Sequence, residues 1–122
     1  MISITEKIEG VLTEIQRCET LYGRQMGSVK LLAVSKKQGI EKIAEAAAAG
    51  LVDFGENYLQ EGLEKIQQLA DLNLTWHFIG PIQSNKTRGI AENFQWVHSV
   101  DRSSIAERLN KQRPQGQPPL NV

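Results

Sequence analysis

Apolar residues along the chain follow two alternating spacings, one typical of helices and one typical of buried strands. From Ile4 to Leu21 an apolar residue recurs at every third or fourth position, which predicts an amphipathic helix, and Gly23 is expected to end it. Short apolar runs then alternate with stretches of helical spacing. The predicted order is therefore one helix, four strand–helix units and the start of a fifth strand at Leu120.

Each predicted strand is short and is followed by a predicted helix. The first strand is rich in branched apolar residues, which is typical of a strand buried on both faces. Asn57 is the expected N-cap of the helix after the second strand, and Asp101 is the expected N-cap of the helix after the fourth strand. The strands are expected at residues 29–35, 52–55, 76–79 and 96–100, and the helices at 39–50, after 57, from about 84 and after 101.

Strict alternation of strands and helices predicts an α/β fold with parallel strands and right-handed crossovers. It does not separate a doubly wound sheet from a barrel. A complete barrel needs eight units and typically about 250 residues, and this chain has 122. Because an unclosed sheet leaves two unpaired edges, we expect either a truncated part of a longer protein or a chain that pairs with another copy of itself.

Composition narrows the class of protein. The 14 basic residues balance the 14 acidic ones, so charge gives no argument for nucleic acid or an anionic membrane as a partner. A single cysteine, Cys18, excludes an internal disulfide and fits a reducing compartment. No apolar stretch approaches the roughly 20 residues that span a bilayer, and the N-terminus lacks the pattern of a signal peptide. We expect a cytoplasmic protein.

Lys36 is the most informative candidate for chemistry, because it ends the first predicted strand. Barrels and open parallel sheets place their active groups at the carboxyl ends of strands. A partly desolvated lysine loses affinity for its proton, and a neutral amine forms a Schiff base with an aldehyde. The alternative is an exposed lysine with no special role.

Other predicted strand ends also carry polar residues, which parallel strands would gather at one rim. Alternation places His77 on the face opposite Trp76 and Phe78, so it is either a hydrogen-bonded core histidine or a group that contacts a cofactor. Glu56 could hold a neighbouring lysine or accept a proton. His98 is expected to be structural, and the two histidines lack the spacing of metal ligands, so no metal is expected.

The chain carries four notable motifs: AVSK at 33–36, FGENY at 54–58, WHFIGPIQSNK at 76–86 and WVHSVD at 96–101. In their order and spacing, these motifs resemble the YggS-like pyridoxal phosphate homeostasis proteins, also called the proline synthase co-transcribed family. The similarity covers essentially the whole chain, and the third motif is long and distinctive.

The resemblance implies a (β/α)8 barrel similar to the N-terminal barrel of alanine racemase, with residues 1–122 as a single domain forming its N-terminal half. It implies pyridoxal 5′-phosphate (PLP) bound as a Schiff base on Lys36, with Asn57 and His77 on the cofactor's side of the barrel. It further implies a role in intracellular PLP (vitamin B6) homeostasis without turnover, and PLP-dependent apo-enzymes as partners. The family's phosphate-binding loops come after residue 122, so we expect this half alone to bind PLP weakly or not at all.

Two alternatives stay open. An amino-acid racemase of the same barrel type shares the lysine, but its second acid–base group comes from a C-terminal domain for which this chain has no room. An interaction module would assemble through the open edges of the half-barrel and would predict a concentration-dependent dimer without PLP chemistry.

Overall fold

The computed structural model describes residues 2–122, and its elements follow the predicted order. The Ser3 hydroxyl caps the first helix by accepting a hydrogen bond from the Glu6 amide. The elements are α1 (Ile4–Leu21), β1 (Ala33–Val34), α2 (Ile40–Ala48), β2 (Asp53–Glu56), α3 (Leu59–Gln68), β3 (Thr75–Phe78), α4 (Thr87–Asn93), β4 (Trp96–Val97) and α5 (Ser103–Gln112), with 3-10 turns at Ala70–Leu72 and Ser84–Lys86.

The four strands form one parallel sheet in the order β1-β2-β3-β4. A doubly wound sheet reverses its strand order, whereas a barrel adds each strand beside the previous one. The sequential order is therefore that of a barrel segment, and the fold is about half of an α/β barrel. The start of a fifth strand is also confirmed, because Asn121 pairs in parallel with Trp96 at the edge of β4.

The two faces of the sheet have different surroundings. Phe54, Trp76, Phe78 and Val97 are buried in a core that also contains apolar residues of α1, α2, α4 and α5. The opposite face, which we call the open face, carries Val34, Gly55, His77 and Trp96 at one level of the register. Val34 is 53% exposed on this face, so the prediction of a first strand buried on both faces is wrong for this chain.

Two strands are shorter than predicted, and residues expected in them make hydrogen bonds outside the sheet instead. Residues 29–32 lie outside β1, and the Val29 amide donates instead to the Glu19 carboxylate at 2.9 Å. At the end of β4, the His98 amide still donates to the Phe78 carbonyl, but the Ser99 hydroxyl already turns back to the Gly80 carbonyl. The bonded residues are 10 and 19 positions apart in the chain, so the local spacing of apolar residues cannot predict these bonds.

The predicted caps of α3 and α5 are wrong. Tyr58 and Arg102 occupy the N-cap positions, and neither makes a capping hydrogen bond with its side chain. Asp101 lies instead beside the Arg102 guanidinium, at 3.4 Å. Among residues 2–122, no helix is both long enough and apolar enough to cross a membrane.

Candidate functional site

Lys36 lies directly after the carboxyl end of β1, where the chain leaves the sheet for α2. Alternation from Val34 places it on the side of the open face. The residue is exposed, so the partial desolvation expected at a strand end is not present in this chain. The structure therefore offers an accessible amine at the rim of the half-barrel.

A buried lysine from α3 reaches the strand end that carries Lys36. The Lys65 side chain is only 8% exposed, and its ammonium donates to the Ser35 carbonyl at 2.7 Å. The same ammonium lies 3.0 and 3.1 Å from the two Glu56 carboxylate oxygens and 2.8 Å from Glu61 Oε1. Such close pairing is what makes a buried ammonium tolerable.

Glu61 also contacts the backbone just after Lys36, because its carboxylate accepts a hydrogen bond from the Lys37 amide. The Ser35 hydroxyl donates to Glu56. We call Ser35, Lys37, Glu56, Glu61 and Lys65 the clamp. The hydrogen bond from Lys65, and then that from the Lys37 amide, lowers the pKa of Glu61 below its ordinary value.

The predicted role of Glu56 needs a correction in its geometry. It does hold a neighbouring lysine, but that lysine is Lys65, and the carboxylate is fully buried towards α3 and not at the open rim. In the strand register Glu56 lies level with Phe78, whose side chain faces the helices.

A chain of hydrogen bonds crosses the open face below the rim. His77 Nε2 lies 2.8 Å from Asp53 Oδ1, and His77 Nδ1 lies 2.9 Å from His98 Nε2. Trp96 stacks on the His77 ring with centroids 5.5 Å apart. Burial lowers the pKa of His77, and the opposing attraction of Asp53 does not reverse that shift.

These contacts fix the positions of the ring protons when both histidines are neutral. A carboxylate only accepts, so His77 Nε2 donates to Asp53 and His77 Nδ1 must accept from His98 Nε2. His98 Nδ1 is then left as an acceptor on an exposed residue. The structural role expected of His98 stays a prediction, and in the structure His98 ends this chain of hydrogen bonds at the surface.

Asn57 follows β2 and lies close to the turn after β3. Its side-chain Oδ1 is buried and has no hydrogen-bond partner within residues 2–122. A Cβ atom on Gly80 would come within 2.3 Å of the Asn57 carbonyl oxygen, so only glycine allows this approach. A buried acceptor without a donor is unusual and fits a donor supplied by a ligand.

The structure thus places Lys36 and Asn57 after the ends of neighbouring strands and His77 on the open face below them. Sequence reasoning missed Asp53, Glu61 and Lys65. The spacing of Glu61 and Lys65 indicates a helical ion pair, but their link to Lys36 depends on the packing of α3. Within residues 2–122, no group of histidine, cysteine, aspartate and glutamate residues could hold a metal ion.

Comparison with known sequences identifies close relatives, although no protein-family model matches the chain. The pyridoxal phosphate homeostasis proteins of Pseudomonas aeruginosa and Escherichia coli are 62% and 50% identical to it, and the alignments cover 100% of this chain and 53% of each relative. The chain therefore spans about half the length of the curated relatives it matches.

Solved structures agree with this relationship. PipY of Synechococcus elongatus, solved with PLP bound, is 46% identical and superposes with a TM-score of 0.69 over 83% of this chain and 47% of its own. An unknown protein from Bifidobacterium adolescentis is 29% identical, with a TM-score of 0.78 over 92% of this chain and 52% of its own. By sequence and by fold, the chain belongs to the family of the pyridoxal phosphate homeostasis proteins and corresponds to their N-terminal half.

Proposed function

We propose that this chain holds PLP covalently through Lys36 and serves intracellular PLP homeostasis. The observation that carries the proposal is an exposed lysine just after the carboxyl end of a barrel strand. Its two neighbours in the chain, Ser35 and Lys37, are both bound within the clamp. Support comes from PipY, which is 46% identical and was solved with PLP bound. The activity, substrates and partners of a whole protein of this family are part of the proposal, because the chain spans half of its relatives.

The residues at the rim fit this cofactor. Bound PLP supplies an aldehyde that condenses with a primary amine, and the exposed residue Lys36 carries such an amine. Asn57 Oδ1 and His98 Nδ1 are acceptors for donors on a small polar ligand. Both ring nitrogens of His77 are engaged within the chain, so we propose that His77 contributes by holding His98.

The first test is a PLP titration followed by borohydride reduction and peptide mass mapping. We expect a saturable adduct on Lys36 that Lys36→Ala abolishes, while Lys42→Ala, which removes an exposed lysine on α2, leaves it intact. Adducts scattered over many lysines and insensitive to Lys36→Ala would contradict covalent binding at Lys36. The full-length Pseudomonas aeruginosa relative is the reference for affinity, since weaker binding is expected of this half.

We propose that PLP is held and passed to PLP-dependent apo-enzymes without turnover of a substrate. The name of the curated relatives describes homeostasis and not catalysis. The competing reading is an amino-acid racemase, which exchanges the α-hydrogen of its substrate. Incubation with L-alanine and PLP in heavy water should leave the α-hydrogen in place, and its exchange together with racemisation would favour the enzyme. The cytoplasmic location expected from the sequence stays a prediction.

A second candidate function is self-assembly. The specific observation in its favour is the open face, where Val34 is more than half exposed although it lies in a strand. Apolar residues on an uncovered sheet face favour association with another surface. In this reading two copies cover each other's open faces.

A further inference from the structure

The clamp contains a lysine whose burial needs an explanation. Lysine is almost never buried unless it is paired, and the Lys65 ammonium lies within 3.1 Å of oxygens from Ser35, Glu56 and Glu61. An ion pair with Glu56 would be enough to tie α3 to the sheet. The contact with the Ser35 carbonyl does something more, because it fixes the peptide that leads into Lys36.

The loop on the other side of Lys36 is strained and also held. Lys37 has a φ of 60°, in the left-handed region of backbone conformation that residues other than glycine rarely adopt. Such strain persists only where the surrounding structure enforces it. The Lys37 amide donates to Glu61, and Glu61 is in turn bound by Lys65 at 2.8 Å.

The left-handed residue sends two adjacent lysines in different directions. The Lys37 ammonium lies over the Tyr58 ring, 5.9 Å from its centre. The Ser35 amide still pairs with the Gly55 carbonyl and Ser35 is buried, so alternation continued through Ser35 places Lys36 on the opposite side, towards the open face. Two amines of the same chemistry thus lie next to each other in the chain at this strand end, and the backbone between them sets the direction of each.

We infer that Lys65, acting through Glu61 and the Ser35 carbonyl, is a positioning residue that makes Lys36 rather than Lys37 the lysine that captures PLP. This inference rests on the proposed function. In the capture, the Lys36 nitrogen bonds to the aldehyde carbon, and the aldehyde oxygen leaves as water with two hydrogens of the amino group. Lys65 takes no part in that exchange of bonds and affects only where the amine stands.

The test compares Lys65→Met and Glu61→Gln with the matched control Lys42→Met. Each protein is treated with PLP and borohydride, and the ratio of adduct on Lys36 to adduct on Lys37 is measured by peptide mapping. We expect the ratio to fall roughly two- to tenfold in Lys65→Met and Glu61→Gln, as for one lost hydrogen bond, and to stay unchanged in Lys42→Met. Lys65→Arg, which keeps the charge and can still donate to the Ser35 carbonyl, should restore most of the selectivity.

A second measurement needs no PLP. Hydrogen exchange at the Lys37 amide should become faster in Lys65→Met and Glu61→Gln and stay unchanged in Lys42→Met, because the carboxylate that holds this amide is released or weakened. A purely structural role would lower the melting temperature of Lys65→Met without changing the Lys36 to Lys37 ratio.

An unchanged ratio in Lys65→Met and Glu61→Gln would overturn the inference, whatever the exchange at Lys37. Indiscriminate labelling of the unsubstituted protein would overturn the proposed function and, with it, the selection of Lys36. If Lys65→Met does not fold, Glu61→Gln decides the matter, because the Glu61 side chain is 30% exposed and its substitution buries no unpaired charge.

Discussion

His77 is a buried histidine that the protein keeps neutral. Burial is the main cause of its lowered pKa, and the electrostatic effect of the neighbouring His98 acts in the same direction. An unfolded chain binds a proton at this residue near pH 6.5. Folding therefore excludes a proton that the unfolded chain would take up, and the cost of that exclusion grows as the pH falls.

The resulting prediction concerns stability and pH. The free energy of unfolding should decrease as the pH falls below about 6.5, with a slope of at most about 1.4 kcal/mol per pH unit from this residue. Urea denaturation of the unsubstituted protein and of His77→Gln over that range measures the effect. His77→Gln should flatten the slope, whereas His98→Gln, at an exposed position, should retain most of it. Equal slopes in all three proteins would show that His77 does not titrate as described.

Glu61 makes a contribution of the same sign, but in a lower pH range. Its pKa is lowered, so its ionised form stabilises the folded chain above the ordinary glutamate pKa, and this stabilisation is lost as the pH falls through the folded value. The two residues are separable in a denaturation series, because the loss from His77 begins near neutrality and that from Glu61 only in the acid range.

At the scale of elements, the loops after β2 and β3 depend on one close approach. Gly80 packs directly on the Asn57 backbone, where a methyl group would lie 2.3 Å from the carbonyl oxygen. Both atoms involved belong to the backbone, so neither can turn away as a flexible side chain would.

Gly80→Ala should therefore destabilise the fold by about 1–3 kcal/mol, the usual cost of overpacking. The control is Gly10→Ala, in the middle of α1, where a Cβ atom meets nothing within 4 Å. That substitution should stabilise the chain by up to about 1 kcal/mol through helix propensity. Chemical denaturation of both variants checks the pair, and equal stabilities would refute the close approach.

The helices could be predicted from sequence better than the strand ends could. The helix expected at 39–50 is observed as α2 (Ile40–Ala48), because the spacing of its buried residues survives in the fold. The strand expected at 29–35 shrinks to β1 (Ala33–Val34), because Val29 bonds to Glu19 on α1. Lys36 could be located from its place in the pattern, but Lys65 could not, since its role depends on the packing of α3 against β2.

At the scale of the whole molecule, the core helices pack on one face of the sheet, whereas the open face buries His77 and leaves Val34 exposed. Alternation of strands and helices predicted the parallel sheet, but only the observed strand order separates a barrel segment from a doubly wound sheet. A doubly wound sheet and a barrel segment have the same alternating sequence pattern. They differ in strand order, and strand order depends on packing.

Self-association through the open face is testable with two valines of nearly equal exposure. Val34→Lys places a charge on the open face, where the valine is 53% exposed, and should weaken a concentration-dependent dimer in sedimentation experiments. Val52→Lys alters a valine that is 51% exposed and precedes β2, and should leave association unchanged. A monomer at all concentrations would argue against assembly, and equal effects of both substitutions would argue against the open face as its site.

The clamp also has a consequence for the order of folding. The bond from Lys65 to the Ser35 carbonyl spans 30 residues of sequence, and every other member of the clamp lies inside that span. All partners in the clamp thus precede β3 (Thr75–Phe78) in the chain. Because a domain generally folds as a unit, we expect the clamp to form together with the sheet that buries Glu56 and not ahead of it.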